Sequence, residues 1–212
     1  MPPKRLTRHE QKARTRERLL GAAATVFARR GFHGASVEEV AREAGYSIGA
    51  LYSNFSGKED LYLALLDRHV AERVAAYRAV FSSARDDAGR ARGGADDWMA
   101  YLRRNREFFL LAIEFWTYAV REPRLRPRIA EAYRAFRQTF AELIEDGAAA
   151  ADIELPEEFA QRMGIVINAL GNGFALEKLA DPDGVPDELF GDALAMIFEA
   201  FAASASRAQE AA

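Results

Sequence analysis

Apolar residues recur at three- and four-residue spacing along nearly the whole chain, and no segment alternates apolar and polar residues at every second position. The first spacing places apolar side chains on one face of an α-helix, whereas period-two alternation is typical of a half-buried β-strand. The pattern therefore predicts an all-α fold.

Four helix starts carry residues that can cap a helix N-terminus. Thr7 to Glu10 and Ser36 to Glu39 both have capping-box form, a hydroxyl residue followed three positions later by glutamate. Ser47 can cap a short helix of about 48–55, and Ser56 precedes a long one whose apolar stripe lasts to about residue 85. A first helix from about Thr7 to Arg30, two short helices and a long fourth one are therefore expected in the first 85 residues.

Glycine and proline suggest where the helices end. Gly31 is expected to stop the first helix, and Gly45 to provide the left-handed cap of the second. The glycine-rich stretch 86–97 predicts a mobile loop, and a break is expected near Asn105. Further helices are predicted at about 98–121, 128–150, 157–180 and 187–203.

Charge is spread unevenly along the chain. Residues 1–60 hold eleven Lys and Arg against seven acids, a net +4, whereas the whole chain carries −3. A basic head on an acidic body fits a polyanion partner for the head, although a solvated basic arm without a partner explains the same charges. The chain contains no cysteine, which excludes disulfides and thiolate chemistry. Without a signal-like or membrane-spanning apolar stretch, we expect a soluble cytoplasmic protein.

The segment 36–55 has the spacing of a helix-turn-helix, with the turn at Gly45-Tyr46-Ser47. Leu51 and Phe55, four residues apart, would anchor the second helix to the core. The remaining residues of this helix would face outwards or sideways: Ile48, Gly49, Ala50, Tyr52, Ser53 and Asn54. In such a motif the second helix enters the DNA major groove.

At this point the chain resembles the tetracycline-repressor (TetR) family of regulators. The resemblance covers about residues 14–66, through motifs that end at Phe32, Ala41, Ser47, Phe55 and Leu61 in turn. It implies about nine helices, with a DNA-binding domain at 1–56 and a ligand-binding, dimerising domain at 57–212.

Carried onto this chain, the resemblance implies nine DNA-contacting residues. Tyr52 matches a tyrosine that meets DNA backbone or base edges, and Gly49 and Ala50 match positions that face base pairs. Phosphate-facing positions are matched by Ser36, Ser47, Ser53, Asn54 and Lys58. Because Ile48 cannot hydrogen-bond, base readout should depend on thymine methyl contacts and Tyr52. Ser36 and Ser47 are equally explained as helix caps, and Lys58 as a solvated lysine.

Residues 108–118 are apolar around most of a helix, so this helix should lie inside a packed body. Together with neighbouring aromatic groups it predicts a site for a hydrophobic or aromatic ligand, as in the pockets of the family. The candidate ligand-binding residues are Tyr101, Phe109, Glu114, Trp116, Tyr118, Tyr133, Phe136, Met163 and Asn168. Ordinary core packing is the alternative for each aromatic residue.

Glu114 is the lone charge of that helix, and a carboxylate among apolar neighbours needs a partner. A ligand, an arginine and solvent at the helix edge are the alternatives considered. The segment 169–176 also resembles the family's penultimate helix, which with the last helix forms a homodimer interface. The expected interface residues are Gly171, Phe174, Leu194 and Phe198.

These patterns favour a DNA-binding regulator, and resemblance favours a repressor that binds a palindromic operator as a homodimer. An enzyme is disfavoured, because His9, His33 and His69 match no metal spacing and no nucleophile-elbow or phosphate-loop motif occurs. No cofactor is expected. The alternative kept open is a ligand-independent dimeric DNA-binding scaffold without an effector site.

Overall fold

The computed structural model describes residues 7–83, 87–150 and 152–210, with the backbone alone for residues 83, 87, 88, 90, 91 and 201–210. Lys4 and Arg5 of the basic arm lie outside this range. Within it the chain forms helices and no strand, which confirms the all-α prediction. The helices are α1 (Arg8–Gly34), α2 (Val37–Ala44), α3 (Ile48–Tyr52), α4 (Lys58–Ser83), α5 (Asp87–Arg104), α6 (Arg106–Ala119), α7 (Arg126–Ala150), α8 (Phe159–Ala180) and α9 (Leu189–Glu210).

The first capping box is complete. Thr7 Oγ1 accepts from the Glu10 amide at 3.2 Å, and the Glu10 carboxylate accepts from the Thr7 amide at 2.6 Å. These hydrogen bonds hold the pKa of Glu10 below its usual value. At the other end, Gly31 has φ 68° and ψ 175°, which interrupts α1. The predicted start of the first helix is confirmed, whereas Gly31 interrupts the helix without ending it, because helical residues continue to Gly34.

The second capping box forms only by half. Ser36 Oγ accepts from the Glu39 amide at 3.2 Å, but the Glu39 carboxylate binds Arg29 and Arg30 of α1 instead of turning back to Ser36. Arg29 is the main cause of the lowered pKa of Glu39. Two arginines that sequence spacing did not reveal thus tie α1 to α2.

The predicted loop at 86–97 is wrong from Asp87 onward, because α5 already begins there. Two helices pack closely on this stretch. A Cβ at Gly93 would meet Val80 of α4 at 3.2 Å, and a Cβ at Gly191 of α9 would meet the Arg92 Cα at 3.4 Å. Close packing against α4 and α9 compensates for the low helix propensity of glycine. The break near Asn105 is confirmed, and its amide donates to the Tyr101 carbonyl at 2.9 Å.

The helices form two compact units. The N-terminal unit contains the described residues of Met1–His69 together with Glu107–Ile129, and the C-terminal unit contains those of Val70–Arg106 and Ala130–Ala212. Packing therefore groups α6 with the helix-turn-helix. The predicted boundary between a DNA-binding domain at 1–56 and a ligand-binding, dimerising domain at 57–212 stays a prediction.

An aromatic cluster forms the core of the N-terminal unit. The rings of Tyr62 and Phe115 stack at 3.7 Å between centroids, and Phe32 meets Phe115 edge-on at 4.8 Å. Phe27 completes the cluster from α1. All four side chains are at most 2% exposed. Such contacts give α6 a large share in the stability of this unit.

Small residues allow close helix packing in the C-terminal unit. The Cα of Gly164 on α8 faces the Arg137 carbonyl of α7 so closely that a Cβ there would overlap it. The Gly171 carbonyl accepts from Trp98 Nε1 at 3.1 Å, and Phe190 packs on the same glycine. Gly164 and Gly171 thus allow neighbouring helices to approach closely, whereas Gly173 faces open space.

Candidate nucleic-acid interface and sensing residues

The turn of the helix-turn-helix is built by backbone geometry and two hydroxyl caps. Gly45 adopts φ 73° and ψ 30°, the left-handed conformation that glycine accepts without strain. Ser47 Oγ accepts from the Ala50 amide at 3.2 Å, as Ser36 Oγ does from Glu39. Both serines therefore serve as helix caps, and each exposed hydroxyl keeps its own hydrogen for a phosphate oxygen.

Helix α3 presents an apolar and aromatic edge to solvent. Ile48 is 40% exposed and Tyr52 53% exposed, while Leu51 and Phe55 are buried as expected. Gly49, between these residues, is exposed and Ala50 is half-buried. This edge contains no strong hydrogen-bond donor apart from the Tyr52 hydroxyl, in line with the expected readout by shape and thymine methyl contacts.

Ser53 and Asn54 terminate α3 with their side chains. Ser53 Oγ and Asn54 Nδ2 both donate to the Ala50 carbonyl at 2.8 Å. Asn54 is half-buried, and Arg16 of α1 donates to its backbone carbonyl at 2.9 Å. The sequence suggested that both side chains face DNA, but their local donors are already used within the chain.

Lys58 is a structural link as well as a phosphate candidate. Its ammonium group donates to the carbonyls of His33 and Ala35 at 3.2 and 3.1 Å and lies 4.8 Å from the centre of the Phe32 ring. The merely solvated lysine considered from the sequence is therefore wrong. Two of its three hydrogens are used, which leaves one for a phosphate oxygen.

Basic residues near the start of α1 lie beside the turn, close to the phenol of Tyr46. A hydrogen bond with Thr15 and the positive charges of Arg18 and Arg14 lower the pKa of the Tyr46 phenol. Arg16 lies over the Phe55 ring at 4.1 Å. Tyr46 was not among the predicted DNA-contacting residues, although an aromatic residue inside the turn of a helix-turn-helix is a usable signal.

Glu114 of α6 finds its partner in the backbone that follows Gly31. Its two carboxylate oxygens accept from the amides of Phe32 and His33, each at 2.8 Å. A ligand, an arginine or solvent was expected to satisfy this charge, and the structure replaces all three with backbone donors. A Cβ at Gly31 would lie 2.6 Å from Glu114 Oε2, so the carboxylate requires glycine there.

Two ion pairs reinforce the link between α4 and the segment after α6. Arg124 donates to both carboxylate oxygens of Glu59, and the Tyr118 hydroxyl donates to the same group at 2.5 Å. Arg124 is the main cause of the lowered pKa of Glu59, and the bond to Glu59 raises the pKa of Tyr118. Arg128 binds Asp67 at 3.0 Å.

The predicted ligand residues of α6 have different environments. Phe109 is buried against the imidazole of His69, and Tyr118 is held by Glu59. Trp116 is 43% exposed, and Leu110 is exposed too. The prediction that this helix lies inside a packed body is wrong on that face, because only one side of α6 packs in the N-terminal unit.

The other predicted ligand residues lie in the C-terminal unit, and all are half-buried: Tyr101, Tyr133, Phe136, Met163 and Asn168. Burial raises the pKa of the Tyr133 phenol. The Asn168 carbonyl accepts from Asn172 Nδ2 at 2.8 Å, which uses the amide of Asn172 within α8. Tyr101 lies beside a buried cation that was not among the ligand-binding residues predicted from the sequence.

That cation is Arg73 of α4, only 3% exposed. Its guanidinium lies 4.4 Å from the ring centre of Tyr101, 4.7 Å from that of Tyr77 and 5.8 Å from that of Trp98. It forms an ion pair with Asp97 of α5. The available signal was positional, since Arg73 occupies an apolar-stripe position four residues from both His69 and Tyr77.

The predicted dimer residues separate into two groups. Gly171 and Leu194 are buried inside the chain's own fold, so their assignment to an intermolecular surface is wrong, because α5, α8 and α9 pack at that point. Phe174 and Phe198 are half-buried, Phe174 against Phe190. Among the side chains of these two helices that the structure describes, the exposed large apolar residues are others: Ile165, Val166, Leu176, Leu189 and Met196.

No group of three or more His, Asp or Glu side chains in the described part of the chain is arranged to hold a metal ion. None of its helices combines the length and the apolar character needed to cross a membrane.

Two family models match the chain. One, described as bacterial regulatory proteins of the tetR family, matches residues 19–65, which include the whole helix-turn-helix. The other, described as the C-terminal part of BetI-type transcriptional repressors, matches residues 87–205, more than half of the chain.

Individual proteins agree with these models. The HTH-type transcriptional activator FasR of Mycolicibacterium smegmatis is 34% identical over 140 residues, and the match spans 66% of this chain and 61% of FasR. A protein from Rhodococcus sp. assigned to the TetR family of transcriptional regulators superposes with a TM-score of 0.71 at 26% identity, over 89% of this chain and 98% of its own. The regulator FadR of Bacillus subtilis, crystallised with stearoyl-CoA, shares the fold at 16% identity, with a TM-score of 0.67 over 85% and 96% of the two chains.

Proposed function

The chain belongs to the tetR family of bacterial transcriptional regulators, and from this premise we propose that it is a repressor released from a palindromic operator by a small hydrophobic or aromatic ligand. Proteins of this family bind DNA and are not enzymes, which excludes the enzymatic alternative. The bacterial cytoplasm, where the operator lies, is the proposed place of action.

The observation that carries the DNA-binding part is the exposed edge of α3. Ile48 and Tyr52 point away from a helix that buried Leu51 and Phe55 hold in place. A large aromatic side chain left exposed on a five-residue helix has little structural purpose, and a DNA groove provides both apolar and polar partners for it.

Tyr52 tests this part. We expect Tyr52→Ala to weaken operator binding by about ten-fold or more, since one good base contact contributes about 1–3 kcal/mol. Tyr52→Phe is the matched control, because it keeps the ring and removes only the hydroxyl. The operator affinity of both variants can be measured by electrophoretic mobility shift, with a genomic DNA fragment that the parent protein has selected. Unchanged affinity in a folded Tyr52→Ala variant would contradict the assignment.

Repression is supported by the description of the C-terminal family model, whereas the relative FasR is an activator. Activation is therefore the second candidate. A reporter gene behind the selected operator distinguishes them: deleting the regulator should raise transcription for a repressor and lower it for an activator.

The ligand part is supported by the fold shared with FadR, which holds stearoyl-CoA, and by the half-buried aromatic residues of the C-terminal unit. Thermal-shift screening with lipophilic and aromatic compounds should find stabilising ligands, and these should loosen the DNA complex. The scaffold alternative predicts that no compound does either.

The homodimer part rests on the exposed apolar face of α8 and α9, in place of the buried Gly171 and Leu194. Met196 is 69% exposed, and Leu176 is exposed on α8. Patches of this kind on helices of a soluble regulator mark association sites. Light scattering should therefore show a dimer that Met196→Asp and Leu176→Asp weaken.

Glu114 gives the proposed release a physical route. Its hydrogen bonds attach α6 to residues 32–33 at the end of α1, close to the segment that leads into α2. A ligand that displaces α6 would therefore act on the backbone that positions the helix-turn-helix. Glu114→Gln should retain ligand binding and weaken the effect of the ligand on DNA affinity.

A further inference from the structure

Arg73 is a buried cation with fewer partners than its chemistry demands. A guanidinium carries five N–H donors and is always charged. In the described residues it has the ion pair with Asp97 and an interaction with the Tyr77 hydroxyl, and its Nε is buried without a hydrogen-bond partner. A buried, unpartnered polar atom is costly, so it needs an explanation.

The surroundings of Arg73 resemble a recognition site more than a structural ion pair. Three aromatic rings surround the guanidinium, and Tyr77 is almost completely buried, which raises its pKa to about 12. Aromatic faces stabilise a cation and also provide apolar contact area. A molecule with an apolar body and a negative head would satisfy both features.

Asp97 is placed as a replaceable partner. Its side chain is 28% exposed while that of Arg73 is 3% exposed, so the carboxylate covers the cation from the solvent side. Another carboxylate that reached this point would find the same donors, with the planar fork of arginine suited to bidentate binding. The half-buried Asp97 carboxylate would regain water when it is displaced.

We propose that Arg73 is the anchor for the carboxylate of an apolar effector, which takes the place of Asp97 between α4 and α5. This inference rests on the proposed ligand response and specifies its chemistry: the effector is a carboxylate with an aliphatic or aromatic body. Tyr101, predicted from the sequence as a ligand residue, then lines the apolar part of the same site.

The test compares matched pairs that differ only in charge: octanoate with octanamide, and 4-cyclohexylbutanoate with its amide. The chain has two tryptophans, and Trp98 lies near Arg73. In a Trp116→Phe background the fluorescence therefore reports Trp98 alone. We expect each carboxylate to bind about ten-fold or more tightly than its amide, because hydrogen bonds to charged groups contribute about 1.5–3 kcal/mol.

Two variants test whether the preference for a carboxylate over its amide arises at Arg73. Arg73→Gln should abolish it, so that acid and amide bind equally. Asp97→Asn removes the internal competitor and should tighten carboxylate binding several-fold while leaving the amide unchanged. The second variant keeps Arg73, so the test does not depend on whether Arg73→Gln folds. Equal affinity of acid and amide in the starting protein, or carboxylate binding that Asp97→Asn leaves unchanged or weakens, would overturn the inference.

DNA release separates this inference from the proposed function. If neutral compounds stabilise the protein and release DNA while no carboxylate is preferred, ligand control stands and the role of Arg73 is wrong. If neither member of either pair binds at millimolar concentration, the carboxylate inference is overturned, and ligand control is decided by the separate compound screen.

Discussion

Each of the two units contains a charged side chain that is at least partly shielded from water, and the two charges are satisfied very differently. Glu114 of the N-terminal unit receives two backbone amides at 2.8 Å, whereas Arg73 of the C-terminal unit has one carboxylate, a phenol and a buried Nε that finds no hydrogen-bond partner among the described residues. A fully satisfied charge fixes geometry, while an under-satisfied one leaves room for another partner. The first therefore suits a mechanical link and the second a ligand contact.

The largest effect is expected from breaking the pair at Arg73. Asp97→Ala should lower the free energy of unfolding by about 3 kcal/mol, because it leaves a buried cation uncompensated. The double variant Arg73→Met with Asp97→Ala should recover most of that loss. Urea denaturation measures all of these variants.

Asp96→Ala is the matched control for this pair, since Asp96 is exposed beside Asp97, and surface substitutions change stability by only about 0.5 kcal/mol or less. If Asp97→Ala behaved like Asp96→Ala, the pair would contribute nothing to folding.

A substitution at Gly31 tests the second charged group, the Glu114 carboxylate that faces this glycine. Gly31→Ala should cost about 3 kcal/mol, because alanine is strained at φ 68° and ψ 175° and its Cβ would meet Glu114 Oε2. Gly45→Ala is the control: its φ is 73°, but open space surrounds it, so a cost of about 1 kcal/mol is expected. Chemical denaturation of both variants compares strain plus overlap with Glu114 at Gly31 against left-handed strain alone at Gly45. Equal losses would contradict the expected larger cost at Gly31.

Glu114→Gln should have a smaller effect, about 1.5 kcal/mol, since the amide oxygen still accepts one hydrogen bond while its NH₂ group opposes the second backbone donor. Thermal and urea unfolding measure the loss. A variant as stable as the parent protein would show that the carboxylate charge is not needed at residues 32–33.

The smallest change in the free energy of unfolding is expected for Glu59→Gln, and this change should depend on pH. Its pKa is lowered in the fold, so the folded state binds fewer protons than the unfolded chain near the ordinary value of 4.5. The resulting stabilisation is present above that pH and is lost as the pH falls through the lowered value. The stability difference between the parent protein and Glu59→Gln, about 1 kcal/mol at neutral pH for such a partly exposed pair, should therefore shrink in acid.

Glu157→Gln provides the comparison for Glu59. Glu157 is exposed, and its carboxylate forms no ion pair or hydrogen bond with the described residues. Its stability difference should be close to zero at each pH. A Glu59 difference that stayed constant from neutral to acid pH would contradict a role for the charged form.

The sequence predicted the elements whose causes are local. The cap at Thr7, the interruption at Gly31 and the turn at Gly45 follow from neighbouring residues and were confirmed. The loop expected at 86–97 failed because glycine favours loops only when no other helix packs on it, and here α4 and α9 do. Gly171 and Leu194 failed as interface residues for a related reason, since periodicity shows that a position is apolar without showing which surface covers it.

By itself, the sequence determined an all-α regulator with a helix-turn-helix at 36–55 and an exposed Tyr52, because hydrophobic spacing, caps and glycine conformations act over a few residues. Only the tertiary structure decided that Glu114 binds the amides after Gly31, that Lys58 binds the carbonyls of His33 and Ala35, and that Arg73 lies buried beside Asp97. These contacts join residues 23 to 82 positions apart, and the partner of a charge at such separation depends on how helices pack rather than on local pattern.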